Sequence, residues 1–123
     1  MNGIDFLADT NFLIQVHEGK QNVEAFLDYH FTVSYITEIE LLGKFSISKH
    51  EKILLQNIIN DCFVIDMNQK IKQRTILLRQ RYKIKTPEAI IAATAIEFQI
   101  PLISSDSDFT IIKELDFLLL KNV

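Results

Sequence analysis

Short apolar runs alternate with longer segments of helical periodicity along the chain. Five of the runs are bounded by polar or turn-forming positions, as strands are. These predicted strands span residues 4–8, 31–36, 62–65, 101–105 and 117–120. The segments between them begin at helix-capping residues or place apolar side chains at helical spacing. The predicted helices span residues 9–16, 22–28, 38–45, 48–59, 68–82 and 86–98, with Asp9, Asn22, Ser48, Asn68 and Thr86 as caps.

This alternation of strands and helices predicts the fold class α/β, with a mostly parallel central sheet of four to five strands flanked by helices. The apolar character of the strands agrees with this, because parallel strands are covered on both faces. In such sheets ligands bind beyond the carboxyl ends of the strands, where the strand order reverses. We therefore look for functional residues just after the predicted strands.

The composition indicates a globular protein. The 123 residues are sufficient for one sizeable core, and we expect residues 1–123 to form a single domain. Hydrophobic residues make up 48% and charged residues 24%. The net charge of −3 argues against a general nucleic-acid coat protein, and the single cysteine excludes an internal disulfide. No signal-peptide pattern and no run of ~20 apolar residues is present, so we expect a cytoplasmic protein.

Several acidic residues follow the predicted strands. Asp9 follows the first strand, Glu40 lies just after the second, and Asp106 follows the fourth, with Asp108 close behind. Because the carboxyl ends of parallel strands meet at one edge of a sheet, we expect Asp9, Glu40 and Asp106 at the same edge. Glu88 begins the helix that leads into the fourth strand, and its position in the chain predicts the opposite edge or a place partway along.

Converging carboxylates are the ligands of hard divalent cations. Mg²⁺ and Mn²⁺ take oxygen ligands, and they activate water and stabilise the charge that develops on a phosphodiester. Packed carboxylates repel one another and raise each other's pKa, so such a cluster is stable mainly with a cation present. Taken singly, each acid also has an ordinary explanation as a helix cap, a solvated helix residue or a turn former.

Four segments, in their order along the chain, resemble the motifs of PIN domains, a family of metal-dependent ribonucleases. The segments are LADTNFLI at residues 7–14, SYITEIELLG at 34–43, TPEAIIAATA at 86–95 and LISSDSDF at 102–109. The size and spacing look like the toxin subunit of VapBC toxin–antitoxin modules. The resemblance implies a three-layer fold, a pocket for Mg²⁺ or Mn²⁺, an RNA substrate, a homodimer, and an antitoxin whose peptide enters or covers the pocket.

The resemblance also implies roles for individual residues. Asp9, Glu40, Glu88 and Asp106 match the four acids that bind metal and carry catalysis, and Asp108 is a nearby additional ligand. Asn11 and Ser104 match supporting polar positions beside these acids. One departure is Glu88, because the third acid of the family is usually Asp. The extra methylene moves the carboxylate by roughly 1.5 Å, a displacement at which catalytic groups lose much of their activity.

A basic segment precedes the third acid. No acid lies between Met67 and Pro87, whereas seven of the 13 basic residues do. They are Lys70, Lys72, Arg74, Arg79, Arg81, Lys83 and Lys85. A local excess of this kind favours binding to the phosphates of RNA, although a solvated helix face or a docking face for an acidic partner explains it equally well.

The leading hypothesis is therefore a Mg²⁺- or Mn²⁺-dependent endoribonuclease, the toxin of a toxin–antitoxin module. The alternative is a PIN-like module that has lost activity through Glu88 and that binds RNA or a protein through its basic face. The two differ in whether RNA is cleaved or only bound.

Overall fold

A computed structural model describes residues 3–121, so the terminal residues 1, 2, 122 and 123 of the predicted domain lie outside the described residues. Its centre is a five-stranded sheet in which every pair of neighbouring strands is parallel. The strands are β1 (Phe6–Ala8), β2 (Phe31–Ser34), β3 (Phe63–Ile65), β4 (Leu102–Ser104) and β5 (Phe117–Leu119). All five lie within the predicted runs, and the predicted α/β fold class is confirmed.

Within the described residues, five α-helices cover the sheet, together with two 3₁₀ turns. The helices are α1 (Thr10–His17), α2 (Tyr35–Leu42), α3 (Lys49–Asn60), α4 (Gln69–Arg81) and α5 (Thr86–Phe98), and the turns are Gln21–Phe26 and Ser107–Ile111. Three predicted caps are confirmed, because the side chains of Asp9, Ser48 and Asn68 each accept a hydrogen bond from a backbone N–H in the first helical turn. Within residues 3–121, no helix has the length and apolarity needed to cross a bilayer.

Three predicted boundaries were wrong. The helix predicted over 38–45 is α2, which starts earlier because the Ser34 hydroxyl ends β2 and caps the helix through Ile36 N. The segment 22–28 forms only the turn Gln21–Phe26, and Asn22 does not cap it: Lys20 occupies the cap position, and within residues 3–121 the Asn22 Oδ1 accepts no hydrogen bond while its amide donates to Gln15 and to a backbone carbonyl. Thr86 is the first residue of α5 rather than its cap, which places Pro87 at the second helical position, where its missing N–H costs no intrahelical bond.

Alternating side chains of the strands bury two separate cores, one on each face of the sheet. Leu7 and Leu102 face α4 and α5, and pack in one cluster with Ile71, Leu78 and Ile91. The next residue along each of these strands points the other way, as strand geometry requires. Ala8 and Ile103 accordingly pack on the opposite face with Phe12, Leu13 and Ile59 from α1 and α3. The result is a three-layer arrangement of helices, sheet and helices.

The strand order is β3-β2-β1-β4-β5. The chain adds β2 and β3 on one side of β1 and then β4 and β5 on its other side, so the switch point of the sheet lies between β1 and β4. These two strands pair in register, with Leu7 opposite Leu102 and Ala8 opposite Ile103. Their carboxyl ends therefore lie side by side at the point where binding sites form in open parallel sheets. Asp9 is the first residue after β1, and Ser104 is the last residue of β4.

Candidate active site

A cleft of about 370 Å³ opens at the carboxyl ends of β1 and β4. It is lined by Asp9, Thr10, Asn11, Ile14, Glu40, Lys85, Pro87, Glu88, Ile91, Asp106 and Phe109. The four acids that match the family motifs all line this cleft, although they come from four different parts of the chain. The structure thus brings together Asp9, Glu40, Glu88 and Asp106, and it places Asn11 beside them.

The position expected for Glu88 from chain order was wrong. Glu88 lies in the first turn of α5, and only residues 99–101 separate the end of this helix from β4. The helix must therefore finish at the amino edge of the sheet, where β4 starts, and begin at the carboxyl edge. This direction places Glu88 over the same edge as Asp106 rather than opposite it.

The Asp9 carboxylate is buried and held by the backbone and by a neighbouring strand. Its side chain is 4% exposed, and its Oδ1 accepts from the N–H of Phe12 at 2.8 Å. Oδ2 accepts from the Ser104 hydroxyl at 2.6 Å. Burial, with a smaller contribution from the charge of Asp106, raises the pKa of Asp9 to about 6 even though these hydrogen bonds favour the charged form. A nearby cation would stabilise the charged form of this buried carboxylate.

Ser104 connects the two acids that follow β1 and β4. Its hydroxyl donates to Asp9 and accepts from the backbone N–H of Asp106 at 2.9 Å. Asp106 in turn caps the turn Ser107–Ile111, because its Oδ1 accepts from the N–H of Asp108 at 2.9 Å. One buried hydroxyl therefore sets the relative positions of Asp9 and of the segment that carries Asp106 and Asp108.

Glu88 and Asp106 of the cleft form a close group of acids with Asp108, which lines the neighbouring groove. One carboxylate oxygen from each lies within 4.8 Å of the others. Burial, followed by the charges of Asp106 and Asp108, raises the pKa of Glu88, whereas Lys85 lowers it. An oxygen-only donor set with this much negative charge fits a hard divalent cation such as Mg²⁺ or Mn²⁺. Asp108, expected only as an additional ligand, is a full member of this group.

Glu40 reaches the cleft from α2 and is held by Thr10. The Thr10 hydroxyl lies 2.6 Å from Glu40 Oε1 and 3.1 Å from the hydroxyl of Thr37. Since Thr10 has a single proton, the shorter contact indicates that it donates to Glu40 and accepts from Thr37. Sequence reasoning missed Thr10 as a site residue, although it directly follows Asp9.

Asn11 belongs to a polar cluster beneath the cleft that the sequence did not indicate. Its Oδ1 accepts from the buried Gln15 amide at 2.7 Å and also from the hydroxyl of Ser105. Gln15 Oε1 accepts in turn from the amide of Asn22 at 2.6 Å. Ser105 lies about 90 positions from its partners, so only the pairing of β1 with β4 brings this cluster together.

The seven basic residues of the segment 67–87 do not form one surface. Arg74 pairs with Glu97 at 2.8 Å, and Arg81 pairs with Glu114. Arg79, Lys83 and Lys85 line a groove next to the acids, and Lys85 also lines the acid cleft. Lys70 lines a separate depression with Arg74 and Glu97, and Lys72 is exposed outside all of these.

Replacing Ser104 by alanine is expected to weaken both the fold and the cation site. The change leaves the buried Asp9 Oδ2 and the Asp106 N–H each without its hydroxyl partner, at a cost of about 1–3 kcal/mol in the free energy of unfolding. Urea unfolding and Mg²⁺ titration of the variant measure the two effects. Ser107→Ala, an exposed serine three residues along, is the control. Equal stability of the two variants contradicts the positioning role of Ser104.

The family model of the PIN domain matches residues 6–115, and the chain belongs to the PIN domain family. A solved toxin–antitoxin complex from Klebsiella pneumoniae contains a chain that is 30% identical, with a TM-score of 0.79 over 90% of this chain and 95% of that chain. No curated protein matched the sequence.

Two further solved structures share the fold. VapBC2 from Rickettsia felis, solved in complex with a fragment of its promoter DNA, has a TM-score of 0.81 at 18% identity, over 96% of this chain and 100% of that chain. FitAcB from Neisseria gonorrhoeae has a TM-score of 0.74 at 22% identity, over 92% of this chain and 96% of that chain. Both comparisons extend over nearly the whole described structure.

Proposed function

We propose that this chain is a Mg²⁺- or Mn²⁺-dependent endoribonuclease and the toxin component of a VapBC-type toxin–antitoxin module. The observation that carries the proposal is the convergence of Asp9, Glu40, Glu88 and Asp106 on one cleft at the switch point of the sheet. Membership of the PIN domain family and similarity to the Klebsiella toxin–antitoxin complex support it.

The residues that would hold the cation are Glu88, Asp106 and Asp108, together with Asp9 and Glu40, which line the cleft with Glu88 and Asp106. A bound divalent ion supplies an activated water and stabilises negative charge on the phosphodiester. The chain itself supplies positioning. Ser104 orients Asp9, Thr10 orients Glu40, and Lys85 places a positive charge at the rim of a cleft that otherwise repels phosphate.

The test is cleavage of single-stranded RNA by the purified protein with Mg²⁺, with Mn²⁺ or with EDTA. We expect cleavage only with the metals, and a loss of at least about a hundredfold in Asp9→Asn and in Glu88→Gln. Glu24→Gln, an exposed acid outside the cleft, is the matched control and should cleave as the wild type does. Equal cleavage by Asp9→Asn points to a contaminating nuclease or to a different site.

The second candidate function is an inactive PIN-like binding module, and the observation behind it is Glu88 in the place of the usual Asp. Glu88→Asp separates the two functions. In an active enzyme the backbone of α5 is set for the longer side chain, so shortening it by roughly 1.5 Å should lower cleavage about a hundredfold. In a module inactivated by Glu88, the same change should raise cleavage above background. The reach of Glu88 to Asp106 and Asp108 supports the first outcome.

The proposal includes a cytoplasmic homodimer of one PIN-like domain spanning residues 1–123, inhibited by an antitoxin protein. The solved relatives that are toxin–antitoxin complexes support the partner. Co-expression with the product of the adjacent gene, followed by co-purification and the RNA cleavage assay, tests it. A co-purifying protein that suppresses cleavage is the expected result, and undiminished cleavage in the co-expressed sample argues against it.

A further inference from the structure

We infer that the groove formed by Arg79, Lys83 and Lys85 binds the phosphate backbone of RNA on one side of the cleavage site. This inference rests on the proposed function. It reduces the RNA-binding candidates of the basic segment from seven residues to three. The groove has a volume of about 510 Å³ and is continuous with the acid cleft, because Lys85 and Glu88 line both. The groove is lined by Arg79, Lys83, Ile84, Lys85, Glu88, Ser107, Asp108 and Ile111.

The positive charges of this groove are available to a ligand. Lys83 and Lys85 are exposed, and neither forms an ion pair with any residue in the described range 3–121. Arg79 lies in the last turn of α4, and its Nε donates to the carbonyl of Ile84, on the connection to α5, at 3.3 Å. Lys83 and Lys85 thus lie on the short connection that leads into the helix carrying Glu88, and Arg79 lies in the last turn of the preceding helix.

The other basic residues of the segment are not equivalent. Glu97 neutralises Arg74 and Glu114 neutralises Arg81, and both pairs lie away from the acid cleft. Lys70 lines the depression that contains Glu97, near the opposite end of α5 from Glu88. Of the seven basic residues of this segment, those that a phosphate chain leaving the acid cleft meets are therefore Arg79, Lys83 and Lys85.

The contiguity of acids and cations favours RNA over an acidic protein segment as the ligand of this groove. A phosphodiester chain needs a metal-binding cleft at the bond that is cleaved and cations at the neighbouring phosphates. The groove also exposes an apolar side chain, Ile111, which is 47% exposed and offers a contact for a sugar or a base. Glu88 and Asp108 line the same groove and repel any anionic ligand, so the choice of RNA rests on the adjoining metal-binding cleft and not on charge alone.

The experiment compares two double variants that remove equal charge from the same segment. Lys83→Gln/Lys85→Gln changes the groove, whereas Lys70→Gln/Lys72→Gln changes α4 at positions remote from it. Both are made in the Asp9→Asn background, and binding of a fluorescently labelled single-stranded RNA is followed by anisotropy across a salt series. We expect the groove variant to raise Kd about tenfold and to reduce the magnitude of the slope of log K against log salt by about 1.4, that is about 0.7 for each lysine on a single strand. The control should change Kd by less than about twofold.

Cleavage assays in the wild-type background distinguish a failure of the groove inference from a failure of the proposed endoribonuclease function. The groove variant should raise KM more than it lowers kcat, since Lys83 lines only the groove whereas Lys85 also lines the acid cleft. Wild-type cleavage together with equal effects of both double variants overturns the groove and leaves the proposed function standing. Absence of both RNA binding and cleavage in the wild type overturns both. A groove variant that binds RNA normally but no longer captures the co-expressed antitoxin overturns the inference in favour of a protein ligand.

Discussion

Asp9→Asn is expected to stabilise the metal-free protein at neutral pH while it abolishes cleavage. The Asp9 carboxylate is almost fully buried, and its pKa of about 6 shows that the folded protein holds its charged form at a cost. The difference from the ordinary value of 3.8 corresponds to about 3 kcal/mol. The asparagine amide removes the charge and keeps an oxygen that accepts from Phe12 N. We expect a gain of about 1–3 kcal/mol in the free energy of unfolding with EDTA present.

The pH dependence of this gain follows from the direction of the pKa shift. Because the pKa of Asp9 is higher in the folded state, the folded protein binds the proton more tightly than the unfolded chain does. The contribution of Asp9 to stability is therefore fully present below about pH 4 and is lost as the pH rises through about 6. The advantage of Asp9→Asn should be close to zero at about pH 4 and should reach its full size above about pH 7.

Urea unfolding of wild type and variant across this pH range, with EDTA and with Mg²⁺, measures the effect. Mg²⁺ should stabilise the wild type, since it binds the folded state, and should stabilise Asp9→Asn less, because the variant loses one acid of the cleft but keeps Glu88, Asp106 and Asp108. Glu24→Gln, which removes an exposed acid, should change neither curve. A metal-free Asp9→Asn protein less stable than the wild type at neutral pH contradicts the assignment of Asp9 as a destabilising buried charge.

The sheet and the acids that end its strands were predictable from the sequence, because both depend on local patterns. Apolar runs marked all five strands, and the acid that follows a strand in a parallel sheet must lie at its carboxyl edge. Asp9 and Asp106 therefore lie in one cleft as expected. The register of β1 and β4 was not predictable, and it is this register that brings Ser104 to the Asp9 carboxylate.

The edge of the sheet predicted for Glu88 was wrong because the direction of its helix was not considered, although the sequence contains the information that fixes this direction. The helix that carries it ends only a few residues before β4, and this short connection already requires the helix to run antiparallel to the strand. Applying that constraint to the sequence places Glu88 at the carboxyl edge without any structure. The resemblance to the family supplied the right location, whereas chain order interpreted without helix direction did not.

The polar partners and the charge pairs could not be predicted, since they depend on tertiary contacts. Gln15 and Ser105 are far apart in sequence and have no pattern that distinguishes them from surface residues. The basic segment was recognised as a block of charge, but its composition does not reveal that Glu97 and Glu114 neutralise two of its arginines. The sequence pattern thus predicted where most of the acids lie. The fold was needed to identify Lys83 and Lys85 as the lysines beside them that form no ion pair within the described residues.

Phe109→Ala is expected to give the largest loss of stability of the substitutions considered. Phe109 is 1% exposed, belongs to the core on the α4 and α5 face, and lies with its ring centroid 5.7 Å from that of Phe117. It also lines the acid cleft from the turn that Asp106 caps. Removing the ring leaves a cavity under this turn, and we expect a loss of about 3–5 kcal/mol in the free energy of unfolding. Urea unfolding measures it.

Phe109→Ala is also expected to weaken the cation site. The turn Ser107–Ile111 is fixed by Asp106 above and by Phe109 below, so a cavity at Phe109 should displace Asp106 and Asp108 relative to Glu88 and weaken Mg²⁺ binding. Ile111→Ala, on the same turn with a half-exposed side chain, should cost less than about 1 kcal/mol and leave the Mg²⁺ affinity unchanged. Equal losses of stability in the two variants would show that the turn is held by its backbone alone. In that case the geometry of the acids does not depend on the core beneath them.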